Sequence, residues 1–77
     1  MYCIEMRGYK TIGSLVLYRF TQTIDDLEYD DVLKIIRHTQ ENSDDGDWHF
    51  DDYEVFRLDA IEGWVCVTGE VEADLHV

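Results

Sequence analysis

Apolar residues recur at helical spacing in one main stretch of this chain, while its other patterned segments read as strands. That contrast limits the folds open to it. Tyr29, Val32, Leu33, Ile35 and Ile36 fall on one broad face of a helix. Thr23, with Asp26 three residues on, resembles a capping pair, and Lys34, Arg37 and His38 suit the negative end of the dipole, so a helix is expected over about 24–40. Before it, Tyr2, Ile4 and Met6 alternate with Cys3, Glu5 and Arg7, the period of a half-buried strand. Val16, Tyr18 and Phe20 mark a second strand over 14–21, pairing back through a turn between Gly8 and Gly13.

Beyond the helix, residues 41–47 have the composition of a solvated loop. A strand is expected over 48–58, bent at Asp51 and Asp52, then a turn at 61–63 and a short strand over 64–68. After Gly69, Val71, Ala73, Leu75 and Val77 alternate with Glu70, Glu72, Asp74 and His76, which predicts a final strand. The predicted order is β-β-α-β-β-β. It corresponds to an α+β fold in which one helix covers a small antiparallel sheet of about four or five strands, all in a single domain over 1–77. Trp64 and Phe56 are the expected large core residues. The apolar final strand would leave an edge able to pair with a second copy, giving a homodimer.

Charge adds a second constraint. The chain has 18 Asp and Glu against 6 Lys and Arg, a formal net charge of −12. Residues 1–37 carry six acids and five bases, or −1, whereas residues 38–77 carry twelve acids and Arg57 alone, or −11. Such a balance opposes direct binding to nucleic acid or to an anionic membrane surface. With 45% of its residues hydrophobic and 13% aromatic, the chain is nonetheless richer in core-forming side chains than a disordered acidic tail. Its longest apolar run, Leu15 to Tyr18, is far below the roughly 20 residues of a membrane span. The first residues lack the pattern of a secretion signal, so a cytoplasmic protein with reduced cysteines is expected.

The residue types argue against an enzyme and against a bound cofactor. Setting Gly46 at the sixth position of a calcium loop puts Glu41 first, Ser43 third, Asp45 fifth and Asp52 last. The first and last residues are then wrong for that site. Cys3, Cys66, His38, His49 and His76 have no zinc-ligand spacing. No local pairing joins Cys66 to His49 or His76 as nucleophile and base, and no glycine loop for phosphate is present. No catalytic residue and no metal ligand is therefore assigned.

The acids themselves are the remaining feature. Asp26 and Asp30 are four apart on the expected helix, with Asp31 beside them. Asp44, Asp45, Asp47, Asp51, Asp52 and Glu54 form a denser cluster, and Glu70, Glu72 and Asp74 share one face of the expected final strand. Exposed strands and helix starts are normally charged, but solubility in a small domain needs a net charge of only about 2–8. Regularly spaced negative charge is what a nucleic-acid backbone presents. Trp48 and Tyr53 lie within the acidic stretch and have the chemistry of interface anchors. Asp44, Asp45, Asp47, Trp48, Asp51, Asp52, Tyr53, Glu54, Asp26, Asp30 and Asp31 are the candidate partner-binding residues.

In size, charge and the acidic runs over 25–31 and 44–54, the chain resembles the small acidic nucleic-acid mimics of phages and mobile elements. These include anti-CRISPR and anti-restriction proteins and inhibitors of uracil-DNA glycosylase or of histone-like proteins. The resemblance implies a stoichiometric inhibitor that blocks the basic DNA- or RNA-binding groove of a target protein, in the host cytoplasm if phage-encoded. Two alternatives stand beside it. One is an immunity protein or antitoxin neutralising a nuclease toxin, and the other is an adaptor domain whose acids only solvate it.

Overall fold

The computed structural model describes residues 1–42 and 44–76, with the side chains of Asp44 and Asp45 outside that description. In chain order the elements are β1 (Tyr2–Ile12), β2 (Leu15–Leu27), α1 (Tyr29–Glu41), β3 (Asp44–Asp45), β4 (Trp48–Asp59), β5 (Gly63–Cys66) and α2 (Thr68–Leu75). The fold is α+β, and every strand pairing is antiparallel. The long strands lie in the order β2-β1-β4, and the two-residue β3 and the short β5 both pair with the far side of β4.

The β1–β2 hairpin is longer than its sequence signals suggest. Gly8 lies inside β1, not in a turn, and it is buried where a Cβ would stand 2.2 Å from the His49 carbonyl oxygen and 2.8 Å from Phe20 Cζ. Gly13, at φ 59°, opens the actual two-residue turn between paired Ile12 and Leu15. At the other end β2 runs on to Leu27. Ile24 pairs with Ile4 and Leu27 with Tyr2, so β2 carries an extra residue there, and Asp26 adopts φ 56°. Strand pairing thus claims residues 24–27, which the Thr23–Asp26 capping pattern assigns to the helix. The helix begins instead after Glu28, whose backbone N–H donates to Asp31 Oδ2 at 3.2 Å.

The second correction concerns the C-terminal segment. Residues 68–75 form a helix, not a strand, and Val77 lies outside the described residues. A two-residue alternation contains a four-residue one: Val67, Val71 and Leu75 are spaced i, i+4, i+8, and the alternate positions between them hold only the small Gly69 and Ala73. Val67 and Val71 are buried and Leu75 packs against them. The segment is tied down where Val67 N–H donates to the Val55 carbonyl at 2.8 Å and Val55 N–H to Thr68 Oγ1 at 2.9 Å. The expected final edge strand, and the dimer edge with it, is therefore absent.

Both helices lie on one face of the sheet. Ile4, Met6 and Val55 from the strands meet Val32 and Ile36 of α1 and Val67 and Val71 beside them, and these seven are the buried core among the described residues. Alternation then turns Phe56 to the opposite face, together with Trp64, which is 48% exposed. Neither is core. Cys3 and Cys66 flank Phe56 on that face from its two neighbouring strands. They are about 10 Å apart by strand spacing, beyond disulfide reach, and both are free.

Helix and strand rise differently, and this leaves half the sheet bare. Thirteen helical residues span about 20 Å, whereas the eleven of β1 span about 37 Å. The distal part of the hairpin therefore projects past α1 in a molecule 46 Å long and 18 Å thick.

Candidate partner-binding surfaces

On the helix-free face the acids are organised by two arginines. Cross-strand register sets Glu5 opposite Glu54 and Arg7 opposite Asp52. Arg7 Nη1 reaches Glu5 Oε1 at 3.1 Å, and Nη2 reaches Asp52 Oδ2 at 2.9 Å and Glu54 Oε1 at 2.8 Å. The hydrogen bonds it donates to Asp52 and then Glu54 raise the guanidinium further above its ordinary pKa. Between paired Arg7–Asp52 and Gly8–Phe50 the register shifts, which leaves Asp51 as an extra residue in β4, where a bend was expected. Arg19 Nη1 meets that carboxylate at 3.1 Å. Toward the hairpin, Tyr9 stacks on His49 with ring centroids 4.8 Å apart.

On the helical side the acids are held by neutral donors. The Tyr29 hydroxyl donates to Asp74, and that bond, ahead of desolvation and the carboxylate charge, pushes the phenol up to about 12. Tyr53 donates to Glu72 Oε1 at 3.3 Å; desolvation first, then the Glu72 charge, raises its pKa as well. Glu70 and Asp74, four apart, share a face of α2. Asp30 and Asp31 occupy the first turn of α1, where the dipole favours them.

The candidate residues are thus divided among several places. Asp51, Asp52 and Glu54 are already ion-paired, Asp30 and Asp31 stand at the start of α1, and Asp26 is the penultimate residue of β2. Asp47 is exposed in the β3–β4 turn, its carbonyl accepting from Thr11 N–H at 2.9 Å. The expected 41–47 loop contains β3, but Ser43 and the side chains of Asp44 and Asp45 lie outside the described residues. Trp48 is 41% exposed, with its ring edge-on to Phe20 and Tyr18 and Lys10 Nζ 4.8 Å from its centroid. Tyr53 packs against the core.

Among the described residues no three His, Cys, Asp or Glu side chains converge to hold a metal, and no helix is long and apolar enough to cross a membrane. A groove of about 480 Å³ lies where α1 stops short of the distal sheet, lined by Ile24, Lys34, Ile35, His38, Trp48 and Phe50 among others. One further feature is a matter of counting along the chain, with no periodicity to signal it. Residues 6–24 contain Arg7, Lys10 and Arg19 and no acid, a net +3, so the rest of the chain carries −15.

No protein-family model, curated protein or solved structure matches this chain.

Proposed function

We propose that this protein acts stoichiometrically, without catalysis, by presenting fixed carboxylates to the basic nucleic-acid-binding groove of another protein. Target classes include a CRISPR effector, a restriction enzyme or another nucleic-acid-binding protein, with the inhibitor working in the cytoplasm. The observation that carries the proposal is how the helical-side carboxylates are held. Tyr29 and Tyr53 orient Asp74 and Glu72 by neutral hydrogen bonds, and the Glu28 N–H does the same for Asp31. A neutral donor restricts a carboxylate without offsetting its charge, whereas on the other face Arg7 and Arg19 offset half the charge of the four carboxylates they hold. Among the described residues, ion pairs within 4 Å reach only Glu5, Asp51, Asp52 and Glu54. Asp30, Asp31, Glu70, Glu72 and Asp74 are therefore the favoured contact acids, with Asp26 and Asp47 beyond them.

The test is capture from nuclease-treated bacterial lysate on immobilised protein, with elution in salt steps and competition by DNA or RNA. One nucleic-acid-binding protein released at moderate salt and displaced by nucleic acid is the expected result. The double variant Asp30→Lys/Glu70→Lys, folded by circular dichroism, should weaken that capture about tenfold or more. A mixture of basic proteins leaving at the first salt step would overturn the proposal. A nuclease toxin as the captured species would assign the protein as its immunity partner.

A further inference from the structure

The distal hairpin carries an unpartnered sheet edge in the longest acid-free stretch of the chain. Among the described residues β2 pairs with β1 alone, so its outer edge presents free backbone donors and acceptors. Natural edges are guarded by proline, by charge, by bulges or by a covering element, and the one bulge of β2 within 15–24 is the extra residue Leu17 near the distal end of that span. Here the chain has no proline, and Arg19 is the single charged residue over 15–24. That charge is committed to Asp51 on the sheet face. Ile12, Leu15, Val16, Leu17 and Tyr18 are 44–65% exposed along this arm. The other cations of residues 6–24 are also engaged, Arg7 by three carboxylates and Lys10 over the Trp48 ring.

We infer that two copies of this chain pair antiparallel along the outer edges of β2, over residues 15–24, to form a twofold dimer. Charge selects the occupant. A molecule of net −12 meets a second copy favourably only where neither presents acids, and residues 6–24 are the long stretch that meets this condition. With Phe20 on the twofold axis, Asp25 of each copy stands opposite Leu15 of the other and Asp26 opposite Ser14, so carboxylates do not face one another. The acidic β3–β4 turn lies on the far side of β1, two strands from the paired edge. Ten strand residues run about 34 Å, and with side chains on both faces bury on the order of 700 Å² per copy. That is inside the range of about 600–1,000 Å² per partner for a stable interface, toward its lower end. An isologous contact of this kind closes at two copies.

Sedimentation velocity from about 5 to about 500 µM tests it by mass action. The expected result is a monomer of 9.1 kDa giving way to a dimer of about 18 kDa. Association should strengthen in about 0.5 M NaCl, because screening relieves repulsion between the acidic bodies. The same salt weakens the partner binding proposed above, so the two proposals fail separately. Leu15→Lys/Leu17→Lys should weaken the dimer by at least about tenfold with the circular dichroism spectrum unchanged. Independently of any variant, amide exchange over 15–24 in the native chain should slow as concentration rises. A monomer throughout the range would overturn the inference. So would a dimer indifferent to the lysines, or assemblies larger than dimers that dissolve in salt, which would mean the arm docks on a neighbour's acids.

Discussion

Between Tyr2 and Arg7 the helix side of β1 is closed over by α1 and α2, and Ile4 and Met6 are buried there. Between Gly8 and Ile12 the same strand, in the same sheet, has no helix above it. Its neighbours Tyr18, Phe20, Trp48 and Phe50 cover one another edge-on instead. The difference is not one of hydrophobicity, since the distal half is the more aromatic. It follows from rise per residue: a helix of thirteen residues reaches about half as far as the strands beneath it. Apolar side chains in one half became core, and those in the other remained surface.

That contrast can be broken by substitution. The largest effect is expected in the covered half, where Ile36→Ala or Val55→Ala should each lower stability by about 2–4 kcal/mol in urea denaturation. Leu17→Ala in the arm should stay within about 0.5 kcal/mol in the same assay, run on monomeric protein. A similar loss at both sites would show that the arm is folded into the core. Next comes Gly8→Ala, at the junction of the halves. Its new methyl would meet the His49 carbonyl and Phe20, so a loss of about 1–3 kcal/mol is expected by the same measurement.

The two faces of the covered half differ as well, and smaller effects test that. Arg7→Gln leaves Glu5, Asp52 and Glu54 together without their cation, so the melting temperature should fall at low ionic strength and partly recover with salt. Equal melting of variant and native protein at low salt would deny Arg7 this role. On the helical face, Tyr29 titrates near 12 when folded, above the value near 10 expected unfolded. Its contribution is therefore complete below about pH 10 and is lost as pH rises through about 12. Tyr29→Phe should remove the highest component from the phenolate absorbance titration and flatten stability over that interval.

Local spacing disclosed much of this molecule. The apolar face of α1, the alternation of β1, the span of β4 and the turn before β5 can all be read along the chain. The segment 68–75 reads as a strand but folds as a helix because Gly69 and Ala73 let one pattern serve two periods. The helix starts five residues later than its sequence signals because Thr23–Asp26 and Glu28–Asp31 offer nearly the same capping chemistry. Among the candidate acids, composition identified the carboxylates but not their partners. The arginine that binds Asp52 and Glu54 lies 45 and 47 residues away from them.

By itself, then, the sequence determined a strongly acidic α+β domain with its negative charge concentrated after residue 37, and an acid-free stretch over 6–24. Tertiary structure alone decided which acids pair with Arg7 and Arg19, which ones tyrosines hold without a counter-charge, and that the acid-free stretch stands out as a bare arm. Charge and periodicity are properties of neighbours along the chain. Pairing, cover and exposure depend on strands meeting across long separations, and on a helix too short to span them.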